Sequence, residues 1–207
     1  MSERSQSRRL GGDEGAVLVE FALVAPLLAL LTLGIFEFGT AWRESNRIAG
    51  AIRSAVRQDS NLGENRSADY FALQALTAEM AGSKNITVNR VVIYKSTTAN
   101  GAPPAACLTT ATSPTGAGVT NQCNIYTWAQ ASGAQSNFTA SCTNGTGASW
   151  DRFWCPTDRE SGQAAVGGPD YVGVYISVSY KTVTKVLPST SLTITDKAIG
   201  RLEPAVT

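Results

Sequence analysis

Apolar residues crowd one early stretch of the chain and then fall into periodic patterns. Positions 15–42 form a single apolar span, and between Phe21 and Phe36 no residue is charged. As a helix this span rises roughly 40 Å, enough to cross a hydrocarbon core. Beyond it the pattern turns amphipathic over 43–58. Ile48, Ala51, Ile52, Ala55 and Val56 share one helical face, opposite Arg43, Arg47 and Arg57. One long helix is therefore predicted, apolar all round and then one-sided, broken at Asn61, Leu62 and Gly63. A second helix is predicted from Ser67 or Ala68 to about Ala81, with Tyr70, Leu73, Leu76 and Met80 as core face and Gly82 as stop.

The period then changes to two. Positions 85–95 and 171–184 alternate Val, Ile and Tyr with polar residues and read as strands. Pro188 ends the second run, and 192–199 forms a last strand or short helix. Between them, 96–168 is rich in Thr, Ser, Gly, Ala and Asn, too long to be structureless in a compact domain. Disulfides or short strands should pin it, and Trp128, Trp150, Phe153 and Trp154 offer a small local core. The predicted class is α+β: a long N-terminal transmembrane helix continuing into an amphipathic one, packed on a small antiparallel sheet, with a cysteine-containing loop region. The division is a polar leader at 1–15, a membrane helix at 16–42 and a domain at 43–207 with a disulfide-rich insert at about 96–168.

Composition narrows the chemistry. The chain has no histidine, which removes the commonest general base, His-dependent nucleophile systems and most zinc sites. A net charge of +1 makes no case for nucleic acid. No cofactor and no metal is expected. Cys107, Cys123, Cys142 and Cys155 lie in the insert without a CxxC spacing, which suggests two disulfides in an oxidising compartment, with buried free thiols as the other reading. Three pairings are open; the sequential one, Cys107–Cys123 with Cys142–Cys155, is preferred only because it closes short loops. The apolar run is too long for a cleaved secretory signal. Arginines on both sides of it (Arg4, Arg8 and Arg9 before; Arg43, Arg47, Arg53 and Arg57 after) lean against an exported domain by the positive-inside count. The cysteines favour export, so the N-terminus is assigned to the cytoplasm and the C-terminal domain to the outside.

Glu20 stands out. A carboxylate within an apolar span costs roughly 2.5–3.5 kcal/mol at the bilayer centre, so it needs a partner or an exit to water. It is the fifth residue after Gly15 and is followed by Phe21. Together with Pro26-Leu27-Leu28 and Gly34-Ile35-Phe36-Glu37-Phe38-Gly39, this resembles type IV prepilins, and more closely the TadE-like family of tight-adherence (Tad, or Flp) pilus assembly proteins. The similarity covers roughly 11–53, with a weaker cue in the ending Arg201-Leu202-Glu203-Pro204.

The resemblance implies a minor pilin or pseudopilin in the inner membrane that contributes to assembly of a Tad pilus and enters the filament. Phe21 in place of the major pilins' usual tyrosine, and the length of the chain, fit the minor role. A prepilin peptidase would cut between Gly15 and Ala16, and the new α-amino group, charged over much of the physiological range, would pair with Glu20, typically on a neighbouring subunit. Other Tad pilins and the assembly platform would be its partners. The simpler reading of Glu20 is a carboxylate snorkelling from an ordinary anchor. Glu37, near the outer interface, is expected to be exposed to water. Pro26 could kink the helix, and Ala25 with Ala29 could allow close helix approach. The alternative function is an anchored extracytoplasmic binding domain unrelated to pili, with the insert as ligand face. An enzyme using Asp151, Asp158 and Glu160 near Trp154 is disfavoured, because catalysis needs convergent geometry.

Overall fold

The computed structural model describes residues 13–143, 145–162, 167–184 and 191–203. Positions 1–12, most of the expected leader, lie outside the described residues, as do Pro188 and Pro204. Helix α1, Asp13–Leu62, contains 50 residues and continues through Pro26. Its first half is uncovered: Phe21 and Ile35 are 70% and 74% exposed, and the apolar residues around them are exposed on every side. Its second half buries the predicted face, Ile48, Ala51, Ile52, Ala55 and Val56. The helix stops at Gly63, whose φ of 55° suits glycine, and a Cβ there would also come 3.0 Å from the Glu203 carbonyl. Helix α2, Ala68–Met80, packs against α1 through Ala72, Leu73, Leu76 and Met80; Tyr70 is half-buried, and Asp69 takes a buried place instead.

The predicted strands become β1, Ile86–Ser96, and β6, Tyr171–Lys181, which pair antiparallel along their lengths with an irregularity between Val88 and Arg90. The insert adds β2, Ala117–Val119, and β3, Cys123–Tyr126, while the last segment forms strand β7, Ser191–Arg201. The sheet order is β2-β3-β1-β6-β7. Alternation puts Val172, Val174, Ile176 and Val178 of β6 against the two helices, with Val91 and Ile93 of β1. The opposite face carries a smaller core of Val92, Tyr94, Cys107, Ala117, Cys123 and Ile125. Gly173 lies beneath the Tyr94 ring, where a Cβ would fall 2.3 Å from a ring carbon.

The insert is more structured than its composition suggests. It holds α3 (Ala105–Thr109), α4 (Trp128–Ala131), the hairpin β4 (Cys142–Thr143) and β5 (Thr146–Gly147), and 3-10 turns at Gln135–Asn137 and Pro156–Asp158. Cys107 is bonded to Cys123 and Cys142 to Cys155. Thr127 and Gln130 form a capping box on α4, which supports so short a helix. The aromatics do not make a separate local core. Trp154 is buried within the main core, and Trp128 and Trp150 pack against it; Trp150 meets Phe138 edge-on at 5.4 Å. Phe153 instead stacks beneath Arg152, at 4.5 Å.

Candidate functional site

Because α1 outruns the domain, its residues divide by what covers them. Gly15 and Ala16 sit in the first turns of α1, and Glu20 and Phe21 follow on the uncovered half. Glu20 is exposed and has no hydrogen-bond or ion-pair partner among the described residues. The stem therefore presents an apolar cylinder with one carboxylate that no group among the described residues neutralises.

Glu37 marks the point where the sheet first grips the helix. Contrary to the expected exposure, it is 2% exposed. Tyr180 donates its hydroxyl to Oε1 at 3.0 Å. Val183 donates its backbone N–H to Oε1 at 2.9 Å and Oε2 at 3.0 Å, and Thr184 gives Oε2 its N–H at 2.7 Å and its hydroxyl at 2.8 Å. Thr40, on the next turn, lies 2.8 Å from the Tyr180 hydroxyl. Two consecutive backbone amides converging on an anion form a nest, so the turn after β6 is built as a receptor for this carboxylate. Glu44 continues the attachment: it accepts from Ser83 at 2.9 Å, and Arg47 reaches the same hydroxyl at 3.2 Å.

At the far end of α1 a buried ionic cluster ties the insert to both helices. Arg159 donates to Asp59 at 3.0 Å and to Asp69, and its guanidinium lies 4.1 Å over the Trp154 ring. Asp69 also accepts from Tyr126 at 2.6 Å and Asn124 at 2.9 Å. Burial pushes the Asp59 carboxyl up to about 7, against the lowering effect of Arg159. Asp151, bonded to Ser149, is likewise pushed up to about 7 by burial and then by the Asp69 charge. Asp151, Asp158 and Glu160 do not converge: the first is buried and the other two are exposed. None of them lines the open cleft of about 510 Å³ at the end of the sheet away from the stem, which includes Lys95, Asp170 and Tyr171. Among the described residues no group of His, Cys, Asp and Glu is placed to hold a metal ion.

Sequence reasoning located the stem but missed Glu37 as a packing residue and the Arg159 cluster. The partners of Glu37 come from a turn 146 and 147 positions away, which no local pattern reports. Asp69 could have been found only as an acid interrupting a helix face that must be covered.

The arrangement defines a class: a single apolar helix that fits a membrane anchor, with an α+β domain clasped to its far half. Residues 15–57, the stem and the first packed turns of α1, match the family model described as TadE-like protein; the Tyr180, Val183 and Thr184 partners of Glu37 lie outside that match. The match points to involvement in Tad pilus assembly, and the apolar helix fits a single-pass membrane anchor. No curated protein and no solved structure matches the chain.

Proposed function

We propose that this protein is a membrane-anchored minor pilin or pseudopilin of a Tad-type pilus, acting structurally and without chemistry of its own. The observation that carries the reading is the division of α1 at Glu37. Positions 16–36 rise roughly 32 Å, close to the ~30 Å of a hydrocarbon core, and leave their apolar side chains free for lipid or for other pilin helices. Phe38 and Trp42, exposed and with ring centroids 6.1 Å apart, then fall at headgroup level. The domain from 43 onward is exported, in keeping with its disulfides.

In this reading prepilin peptidase removes 1–15, and Glu20 pairs with the freed amino group of Ala16 on an adjacent subunit. Either charge alone in lipid is unfavourable, and pairing relieves both. Glu37 has a different part. Its bonds fix the angle and rotation at which the domain leaves the stem, so packing of stems sets the spacing of domains. Replacing Glu20 by Ala tests the assignment. The variant should reach the membrane normally and be lost from sheared pilus fractions; undiminished incorporation would leave the snorkelling anchor as the better account.

A further inference from the structure

Above the membrane, α1 has an outer face that the sheet does not cover. Arg43, Arg47, Arg53 and Arg57 project from it within an arc of about 120° at 100° per residue. Arg43, Arg53 and Arg57 are exposed and have no hydrogen-bond or ion-pair partner among the described residues. Two of the spacings, Arg43 to Arg47 and Arg53 to Arg57, are i to i+4, where like charges repel. The acids of this half-helix give no relief, because Glu44 and Asp59 both point inward and are buried. The asymmetry extends to the domain: Glu44, Asp59, Asp69 and Asp151 are buried, whereas Arg159 is the one buried basic residue among those described. A chain of net charge +1 thus presents a basic surface, most densely along this ridge. At its upper end the ridge borders an open groove of about 320 Å³. Arg53, Arg57 and Asn61 line one side of the groove, and 198–201 of the edge strand β7, including Arg201, line the other; Glu203 is the one carboxylate there.

We infer that this arginine ridge and the groove beside it dock an acidic segment of a different pilus subunit, lying alongside α1; the inference rests on the pilus role proposed above. A bilayer surface fits less well. Arg57 stands roughly 21 Å along the helix from Arg43, more than two Debye lengths of about 8 Å, so headgroup charge reaches only the lower end of the ridge. A second copy fits poorly too: the exposed carboxylates Glu64, Glu160 and Glu203 gather beside Gly63 and Ser161 at one end of α1, and with Glu79 and Asp158 on other elements they form no row the length of the ridge.

The test places a photo-crosslinking residue at position 57, and separately at position 24 in the stem, of the full-length chain in cells assembling pili. Crosslinked peptides are then identified by mass spectrometry. The expected product at 57 is an adduct to a peptide of another pilus protein carrying several Asp or Glu. With the probe moved to position 50, Arg53→Glu with Arg57→Glu should lower the yield of that adduct about tenfold or more. Arg53→Lys with Arg57→Lys should keep it, and reversing the partner's acids to Lys should restore it in the Glu variant. Adducts to lipid, to a copy of this chain or to a peptide without acids would overturn the inference, as would a yield indifferent to charge reversal. If position 24 crosslinks pilus subunits and position 57 does not, the docking surface fails alone; if neither does, the pilus role fails with it.

Discussion

Thr184 donates both its backbone N–H and its hydroxyl to Oε2 of Glu37, joining the turn after β6 to the helix at the point where α1 leaves its uncovered half. The pair is 147 positions apart in sequence, and it sets where the anchor ends and the domain begins. Removing the carboxylate strands the amides of Val183 and Thr184 at a buried junction. Glu37→Ala should therefore cost about 2–3 kcal/mol, within the range for lost hydrogen bonds to a charged group. In a chain of this size that is a fall in Tm of roughly 5–10 °C, measurable on detergent-solubilised protein. Trypsin should also cut faster at Lys181, which ends β6. Unchanged melting and cleavage would show that the junction is held by packing instead.

Arg159 is predicted to matter most through what it leaves behind. Arg159→Met alone abandons Asp59 and Asp69 in the interior and should destabilise by about 3–5 kcal/mol. Adding Asp59→Asn and Asp69→Asn removes the orphaned charges, so the triple variant should recover much of that loss in denaturant melts. If the triple variant were no more stable than the single, the cluster would be contributing shape and not charge balance.

Stability should also depend on pH in a direction set by burial. Asp59 and Asp151 are raised from the ordinary aspartate value of 3.8 to about 7, so the folded state holds protons that the unfolded state releases. Their contribution is fully present below the unfolded value and is lost as pH climbs through about 7. Melting temperature should fall between pH 5 and pH 8, bracketing the raised value of about 7, and Asp151→Asn should flatten that slope. A slope that the substitution leaves unaltered would place the proton elsewhere.

The disulfides close loops with sequence separations of 16 and 13. By loop entropy each should contribute about 3 kcal/mol. Cys107→Ser with Cys123→Ser should loosen α3 from the back of the sheet while α1 and α2 stay packed, because Cys107 and Cys123 belong to the small second core. Hydrogen exchange would show this as lost protection in β2 and β3 with little change in β6.

What was legible in the sequence was whatever depends on near neighbours. The buried face of α1 repeats every three or four residues, and β6 alternates strictly, so both elements are visible in order and type. The insert was harder to read because its short strands owe their existence to pairing with β1 and to the cysteine links, not to their own propensity. Glu37 was misjudged for a related reason. A carboxylate at a membrane boundary has water within reach by default, and only the returning turn at Val183 and Thr184 takes that water away. Asp69 hid in the first turn of α2, where an acid is ordinarily explained by the helix dipole.

The claim on which the account rests is that a freed amino group at Ala16 answers the lone carboxylate of the stem. Intact mass and N-terminal sequencing of the protein drawn from membranes and from pili test it most directly. The mature chain should begin at Ala16; a chain that keeps its first fifteen residues in cells with functional pili would rule the pairing out.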